Sequence, residues 1–231
     1  MTKIVVLTGA GISAESGLKT FRDADGLWEG HRVEDVATPD AWERNAELVL
    51  NFYNERRKQL MMAKPNEAHL ALASLESKFE VSVITQNVDD LHERGGSSYI
   101  IHLHGELLKV RSIADPALVY PWADDLLLGQ LCQKGSQLRP HIVWFGEQVP
   151  LLESAAILCH DADICVIVGT SLQVYPAAGL VAYLRPHAEI YYIDPMPHIS
   201  VELKKRRNLH IIPMKAAVGV PDLVHKLLIP S

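Results

Sequence analysis

Cysteine is scarce in this chain of 231 residues, and the three present, Cys132, Cys159 and Cys165, lie far apart. Three thiols do not make a disulfide framework, so a reducing, cytoplasmic compartment is expected. Cys165 sits in an apolar run and reads as a buried thiol. No apolar run is long enough to span a membrane, so no membrane partner is expected. A strand is expected within three residues of the first Met, so no signal peptide is expected. Positive charge is not in excess: 22 Lys and Arg stand against 28 Asp and Glu, a net charge of −6. That balance argues against nucleic acid as a partner. The one basic run, Lys204 to Arg207, reads as the solvated end of a short helix. Repeats and low-complexity segments are absent, and the length fits one large domain or one domain with a small insertion.

What is there is concentrated first in Lys3 to Trp28, KIVVLTGAGISAESGLKTFRDADGLW. An apolar strand, Ile4 to Leu7, meets a turn at Gly9-Ala10-Gly11 and then a small-residue segment, Ile12 to Leu18, expected to be a helix. Gly9, Gly11 and Ala14 fit the G-x-G-x-x-G/A spacing of a dinucleotide-binding turn. Gly9 would let the chain turn sharply, Gly11 would let backbone N–H groups approach a diphosphate, and the helix N-terminus would add partial positive charge. Ser13 and Glu15 suit the helix start. The same spacing also fits any strand-to-helix turn in an α/β protein. Two features depart from the usual fingerprint. No acidic residue closes a second strand about 20 residues on, and Phe21, Arg22 and then Trp28 follow the turn directly.

Residues 34–62 read as helical, with Pro39 in a first turn after Thr38 and a stripe through Leu48, Phe52 and Leu60. Glu67 to Lys78 reads as a second helix. Phe79 to Thr85 and Tyr99 to Leu103 read as strands, followed by Gln86-Asn87-Val88-Asp89 and by His104-Gly105-Glu106. Residues 106–140 have poor periodicity and read as a small insertion of short strands and loops; 141–146 read as extended. A helix over Leu151 to His160, an apolar strand over Ile164 to Val168, a helix after Val174, strands at Glu189 to Ile193 and Leu209 to Ile212, and a helix from Val220 to Leu228 complete the chain. Strands alternate with helices, which predicts an α/β fold. Its core is a Rossmann-like parallel sheet with helices on both faces, over about 1–33, 79–105 and 141–231. Small-domain insertions are expected at about 34–78 and 106–140. Polar and glycine clusters follow five strands, at 8–11, 86–90, 104–106, 169–171 and 194, where an open α/β sheet forms its binding crevice.

Taken in order, GAGISAESGLKTFR, TQNVDDLH, LHGEL, RPHIVWFGE and GTSLQVYPA resemble the sirtuins, the NAD-dependent protein lysine deacylases. They span nearly the whole chain. The pair Tyr53 and Arg56 resembles the Tyr-x-x-Arg of the bacterial CobB type. The resemblance implies that Gly9, Ala10 and Gly11 cradle the NAD diphosphate, with Ser13, Glu15, Phe21, Arg22 and Trp28 around the cofactor loop. It puts Gln86, Asn87, Val88 and Asp89 at the nicotinamide and its ribose, and Gly169, Thr170, Ser171 and Asp194 at the adenosine half. Sirtuins usually have Asn where Asp194 stands; a carboxylate can accept from ribose hydroxyls, so the exchange is chemically mild. His104 is implied as the general base, with Asn87 and Asp89 also catalytic, and the products as a free lysine, nicotinamide and an O-acyl-ADP-ribose. From position alone His104 fits a strand-end histidine as well. His102 shares its strand parity, and His92 reads as a capping or packing residue.

Tyr53 and Arg56, three apart, share a helix face. By position they fit an ordinary amphipathic helix. Under the resemblance they become a reader of acidic acyl groups, making the enzyme a desuccinylase and demalonylase as well as a deacetylase. Val143, Phe145 and Gly146 would then meet the substrate backbone by edge-strand addition. Most sirtuins carry four zinc-binding cysteines after the catalytic histidine. The matching region, Lys109 to Leu138, holds Cys132 alone and no His, so no metal site is expected. A small core of Ile113, Leu118, Val119, Trp122 and Leu126 is expected instead. Two other functions stay open: a non-catalytic NAD or ADP-ribose sensor, and an ADP-ribosyltransferase.

Overall fold

A computed structural model describes residues 1–19, 27–28 and 30–229, with 27–28 through their backbone alone. Strand β1 (Lys3–Thr8) is followed by two three-residue 3-10 turns, Ala10–Ile12 and Ala14–Ser16. A short antiparallel pair, β2 (Leu27–Trp28) and β3 (His31–Arg32), precedes α1 (Val33–Val36) and the long α2 (Pro39–Met62). Then come α3 (Glu67–Ser74), β4 (Glu80–Thr85), α4 (Leu91–Arg94) and β5 (Ile100–His102). Three antiparallel strands follow, β6 (Gly105–Ser112), β7 (Val119–Pro121) and β8 (Leu138–Ile142). The chain ends through α5 (Leu152–Asp161), β9 (Ile164–Val168), a 3-10 segment at Ala177–Tyr183, β10 (Glu189–Ile193), α6 (Val201–Lys204), β11 (Leu209–Ile212) and α7 (Ala216–Leu228).

Six strands form one parallel sheet in the order β11-β10-β9-β1-β4-β5. Relative to β1, the chain first moves outward through β4 and β5, then returns and moves the other way through β9, β10 and β11. The direction of winding therefore reverses between β1 and β9, the place where doubly wound sheets open a crevice. Alternation along the strands builds two cores. Ile4, Val6, Val81, Val83, Val166 and Val168 meet α3 and α7 through Ala68, Leu72, Val220 and Leu223. Val5, Leu7, Ile84, Cys165, Ile167 and Tyr192 meet α5 and the 177–183 segment through Cys159, Leu180 and Val181. Both faces are covered, as a parallel sheet requires.

Helix α2 carries the cavity side of the molecule. Thr38 caps it by accepting from Ala41 N–H at 3.0 Å, with Pro39 in its first turn. The helix kinks at Asn45, whose backbone is non-helical and whose side chain accepts from Leu48 N–H at 3.0 Å and caps the second part. Val49, Phe52, Tyr53 and Leu60 then face Leu91, Leu107, Ile142 and Trp144. Buried Arg57 donates to the Leu107 carbonyl at 3.1 Å and to Asn54 at 2.8 Å, joining the helix to the small sheet.

The structure differs from the sequence reading in several elements. Helix α3, expected in the helical insertion, packs on the main sheet, because Ala68 and Leu72 face its strands. The segment after Gly11 forms 3-10 turns rather than an α-helix. The segment after Val174 is likewise a 3-10 stretch. In the small sheet, Leu118, Trp122 and Leu126 join Leu50, Val110, Cys132 and Leu138, whereas Ile113 and Val119 face solvent.

Candidate active site

The carboxyl ends of β1, β4, β9 and β10 open into one cavity of about 710 Å³, with α2 and the segment after β8 on its far side. The volume lies within the usual range for ligand sites. Of the residues singled out in the sequence, Gly9, Ala10, Gly11, Ser13, Glu15, Tyr53, Arg56, Gln86, Asn87, Val88, Asp89, His104, Val143, Phe145, Gly146, Gly169, Thr170, Ser171 and Asp194 all line it. Phe21, Arg22 and the side chain of Trp28 lie outside the described residues.

The glycine turn is packed against the turn after β9. Gly9 N–H donates to Val168 O and Gly11 N–H to Gly169 O, at 3.1 and 2.8 Å. Those two amides are spent on the neighbouring strand end. A Cβ on Gly11 would lie 2.7 Å from Gly169 Cα, and one on Gly9 2.7 Å from Thr170 Cβ. Close packing of the two strand-end turns is by itself enough to require both glycines. A 3-10 turn of three residues also has no helix macrodipole to offer a phosphate. Glu15, expected at the cofactor, accepts from Ala217 N–H at 2.8 Å and so caps the start of α7.

Ser13 joins the turn to the loop after β4. Its hydroxyl donates to Asp89 Oδ2 at 2.9 Å and accepts from Asn87 Nδ2 at 3.1 Å. All three side chains are buried. Burial pushes the Asp89 carboxyl above its ordinary range, against the hydrogen bonds from Leu91 N–H and Ser13. Gln86 donates to Thr170 Oγ1 at 3.1 Å, tying the loop after β4 to the turn after β9. Asn66, which caps α3, donates to Ile12 O at 2.8 Å and to Ser16 Oγ at 3.0 Å, so it holds the 3-10 turns from behind. Asp194 is buried at the end of β10 and accepts from Met196 N–H at 2.8 Å.

His104 stands just past β5. Its Nδ1 lies 2.9 Å from the Gln86 carbonyl, an acceptor, so that nitrogen carries the proton and Nε2 keeps its lone pair. Burial lowers the pKa of His104, outweighing that hydrogen bond. A neutral imidazole with an available lone pair at the cavity wall is what a general base needs.

On α2, Tyr53 is fully buried and Arg56 lies one turn further along. Burial pushes the Tyr53 hydroxyl up to about 12, despite the lowering effect of Arg56. The segment at 141–146 is strand only to Ile142. Val143 N–H already donates to His104 O and Phe145 N–H to Ala37 O, so an added peptide strand has to use other backbone groups. Sequence reasoning passed over Trp144, although it lies inside a quoted motif, and Lys215, which no local pattern marks; both line the cavity.

Donors and acceptors for a hydroxylated ring, a buried carboxylate and a neutral base thus surround one volume, and the known proteins similar to this chain have the same arrangement of chain. The Sir2 family model matches residues 9–176. An NAD-dependent protein deacylase of Helicobacter pylori is 57% identical over 228 residues, 99% of this chain and 98% of the relative. One of Bacteroides thetaiotaomicron is 54% identical over the full length of both chains. The crystal structure of a Sir2 homologue–NAD complex superposes with a TM-score of 0.86 at 39% identity, covering 98% of this chain and 89% of that one. A Sir2 protein bound to an acetylated peptide superposes with a TM-score of 0.81 at 29% identity, covering 98% and 94%. Motif order, sheet order and full-length identity agree, and the chain belongs to the Sir2 family.

Proposed function

We infer that this protein is an NAD-dependent protein lysine deacylase. The observation that carries the reading is the set of groups on one cavity: neutral His104, the Asn87–Ser13–Asp89 network, and the strand-end turns at 8–11 and 169–171. The curated relatives of equal length bear that name, and a solved relative holds NAD.

The residues present fit NAD. Buried Asp194 at a strand end suits a ribose diol, since a carboxylate oxygen accepts from hydroxyls. Ala10, Gly169, Thr170 and Ser171 line the same end, and Gln86, Asn87 and Asp89 line the other flank of β1. When bound, NAD would supply a scissile bond between nicotinamide and ribose, whose cleavage would drive acyl transfer off the lysine. Asn87 and Asp89 orient the reacting ribose, and their mutual link through Ser13 keeps both side chains in fixed rotamers. His104 Nε2 accepts the proton of a ribose hydroxyl, while Nδ1–H on the Gln86 carbonyl holds the ring in the required tautomer.

The finer reading concerns the acyl group. Tyr53 and Arg56 on α2 offer a phenol that keeps its proton and a guanidinium to an acidic acyl chain, so succinyl- and malonyl-lysine are the preferred substrates. The chain acts as one catalytic domain, the Rossmann-like sheet plus its inserted small sheet. Three buried reduced thiols accord with a cytoplasmic setting.

The test is incubation of the protein with NAD and a panel of acetyl-, succinyl- and malonyl-lysine peptides, followed by mass spectrometry. The expected products are deacylated peptide and O-acyl-ADP-ribose in equal amounts. ADP-ribosylated protein without deacylation would indicate a transferase, and binding without turnover a sensor.

A further inference from the structure

We propose that His102 is an imidazolium at neutral pH that positions Asn87, and that its positive charge belongs to the working form of the site. His102 closes β5 and is buried, and it does not line the cavity. Its Nδ1 lies 3.3 Å from the Asn87 carbonyl oxygen and its Nε2 2.7 Å from Glu93 Oε1. A carbonyl and an ionised carboxylate are acceptors and nothing else. A neutral imidazole has one N–H and can serve one of them; a ring serving both is doubly protonated. His104, two residues on, shows the contrast: one nitrogen donates to the Gln86 carbonyl and the other remains a base. Two consecutive carbonyls of the loop after β4 are thus gripped by two histidines of one segment, one ring charged and the other neutral.

The surroundings sustain the charge. Glu93 on α4 faces the ring directly, Glu106 on β6 and Asp89 in the loop add negative field, and His92 on α4 is neutral. Burial opposes the Glu93 charge, but the hydrogen bond and charge of His102 outweigh it, with a smaller contribution from Lys109, and the Glu93 pKa is lowered. Burial opposes the imidazolium, yet Glu93, Glu106 and the Asn87 carbonyl outweigh it, and the His102 pKa is raised. When the ring loses a proton it loses one of its two N–H groups. Either Asn87 loses its donor, or Glu93 loses its partner and the ring is no longer braced. Asn87 passes this on, because its side chain holds Ser13, which holds Asp89. His102 is therefore a positioning residue, acting through Asn87.

The signs give a bell-shaped profile. His104 must be neutral, so activity rises as pH climbs through its lowered pKa. His102 must be charged, so activity falls as pH climbs through its raised one. The inference relies on the deacylase reading for its kinetic arm alone. The test uses the full chain with 13C-labelled histidine, the His102 signal being assigned with His102→Gln. In the wild type, NMR titration is expected to find His102 charged at neutral pH. Glu93→Gln removes the facing negative charge and is expected to lower that midpoint by about 1–3 units. The alkaline limb of kcat/KM should move down with it, the acid limb of His104 staying in place. A wild-type His102 that is neutral at pH 7 overturns the assignment. A shifted midpoint with an unmoved alkaline limb overturns its role in positioning. Absence of turnover on every acyl peptide would overturn the deacylase reading and leave the NMR result standing.

Discussion

The indole N–H of Trp144 donates to the hydroxyl oxygen of Tyr53 at 3.0 Å, in the buried seam between α2 and the segment after β8. The indole is itself fixed. The Arg139 guanidinium lies 3.2 Å from the centre of its ring, and Glu147 accepts from Arg139 with both oxygens and from the backbone N–H of Trp144 at 2.8 Å. An indole can donate and cannot accept, so the Tyr53 oxygen is the acceptor on that side and its rotamer is set. The motif RPHIVWFGE therefore builds a clamp that orients a residue about 90 positions earlier in the chain.

Acyl preference tests that clamp. Hydrogen bonds to charged groups contribute about 1.5–3 kcal/mol, which is roughly a tenfold to hundredfold preference. The wild type is expected to favour succinyl- over acetyl-lysine peptides in kcat/KM by that factor. Arg56→Met should abolish the preference while sparing deacetylation. Trp144→Phe, which keeps a ring and removes the N–H, should weaken it in the same direction. Equal slowing of both substrates by Arg56→Met would make the residue structural.

Replacing His104 with Ala removes the base and leaves the cavity walls in place. NAD binding, measured by calorimetry, should persist, while turnover drops by about 10²–10⁴-fold. A variant that turns over acyl-peptide at a near-normal rate excludes His104 from proton transfer.

The small sheet closes over apolar side chains, Leu50, Val110, Leu126 and Leu138, with Cys132 among them. Among the described residues no group of three His, Cys, Asp or Glu is placed to hold a metal ion. The purified protein is expected to contain no stoichiometric zinc, and chelators should leave its thermal midpoint unchanged. One tightly held zinc per chain, found by elemental analysis, would refute this.

Two buried histidines should make the fold acid-sensitive. His69 and His92 pack ring to ring, with centres 5.0 Å apart and no exposed surface. Burial lowers His69 to about 4 and His92 well below its ordinary value. Between about 6.5, the unfolded value, and about 4, the unfolded chain binds protons that the native rings refuse. Stability is thus fully present above about 6.5 and is lost as pH falls through that window, on the order of 3 kcal/mol from His69 alone at about 1.4 kcal/mol per unit. Urea unfolding of the wild type and His69→Gln at pH 7.5 and 5 measures it. The variant should lose less stability on acidification, and parallel losses would refute the assignment.

Much of the fold was legible in the chain. Ile4 to Leu7 and Ile164 to Val168 are uninterrupted apolar runs, and a strand apolar on both faces admits few arrangements other than a covered parallel sheet. The candidate site was legible as well, because Gln86-Asn87-Val88-Asp89, His104, Gly169-Thr170-Ser171 and Asp194 each follow a strand directly, and parallel strands put those ends together.

By itself, the sequence determined where strands stop and which polar groups stand at their ends, since both are properties of neighbours in the chain. Tertiary structure alone decided what each group faces. Gly11 meets Gly169, Glu15 caps α7 at Ala217, Trp144 holds Tyr53, and α3 lies on the main sheet rather than with α2. It also decided protonation, leaving His104 a neutral base and His102 a donor on both sides. Partners separated by tens to hundreds of residues leave no local periodicity to read. A histidine's charge is set by burial and by the acceptors brought to its two nitrogens, which do not exist until the strands have paired.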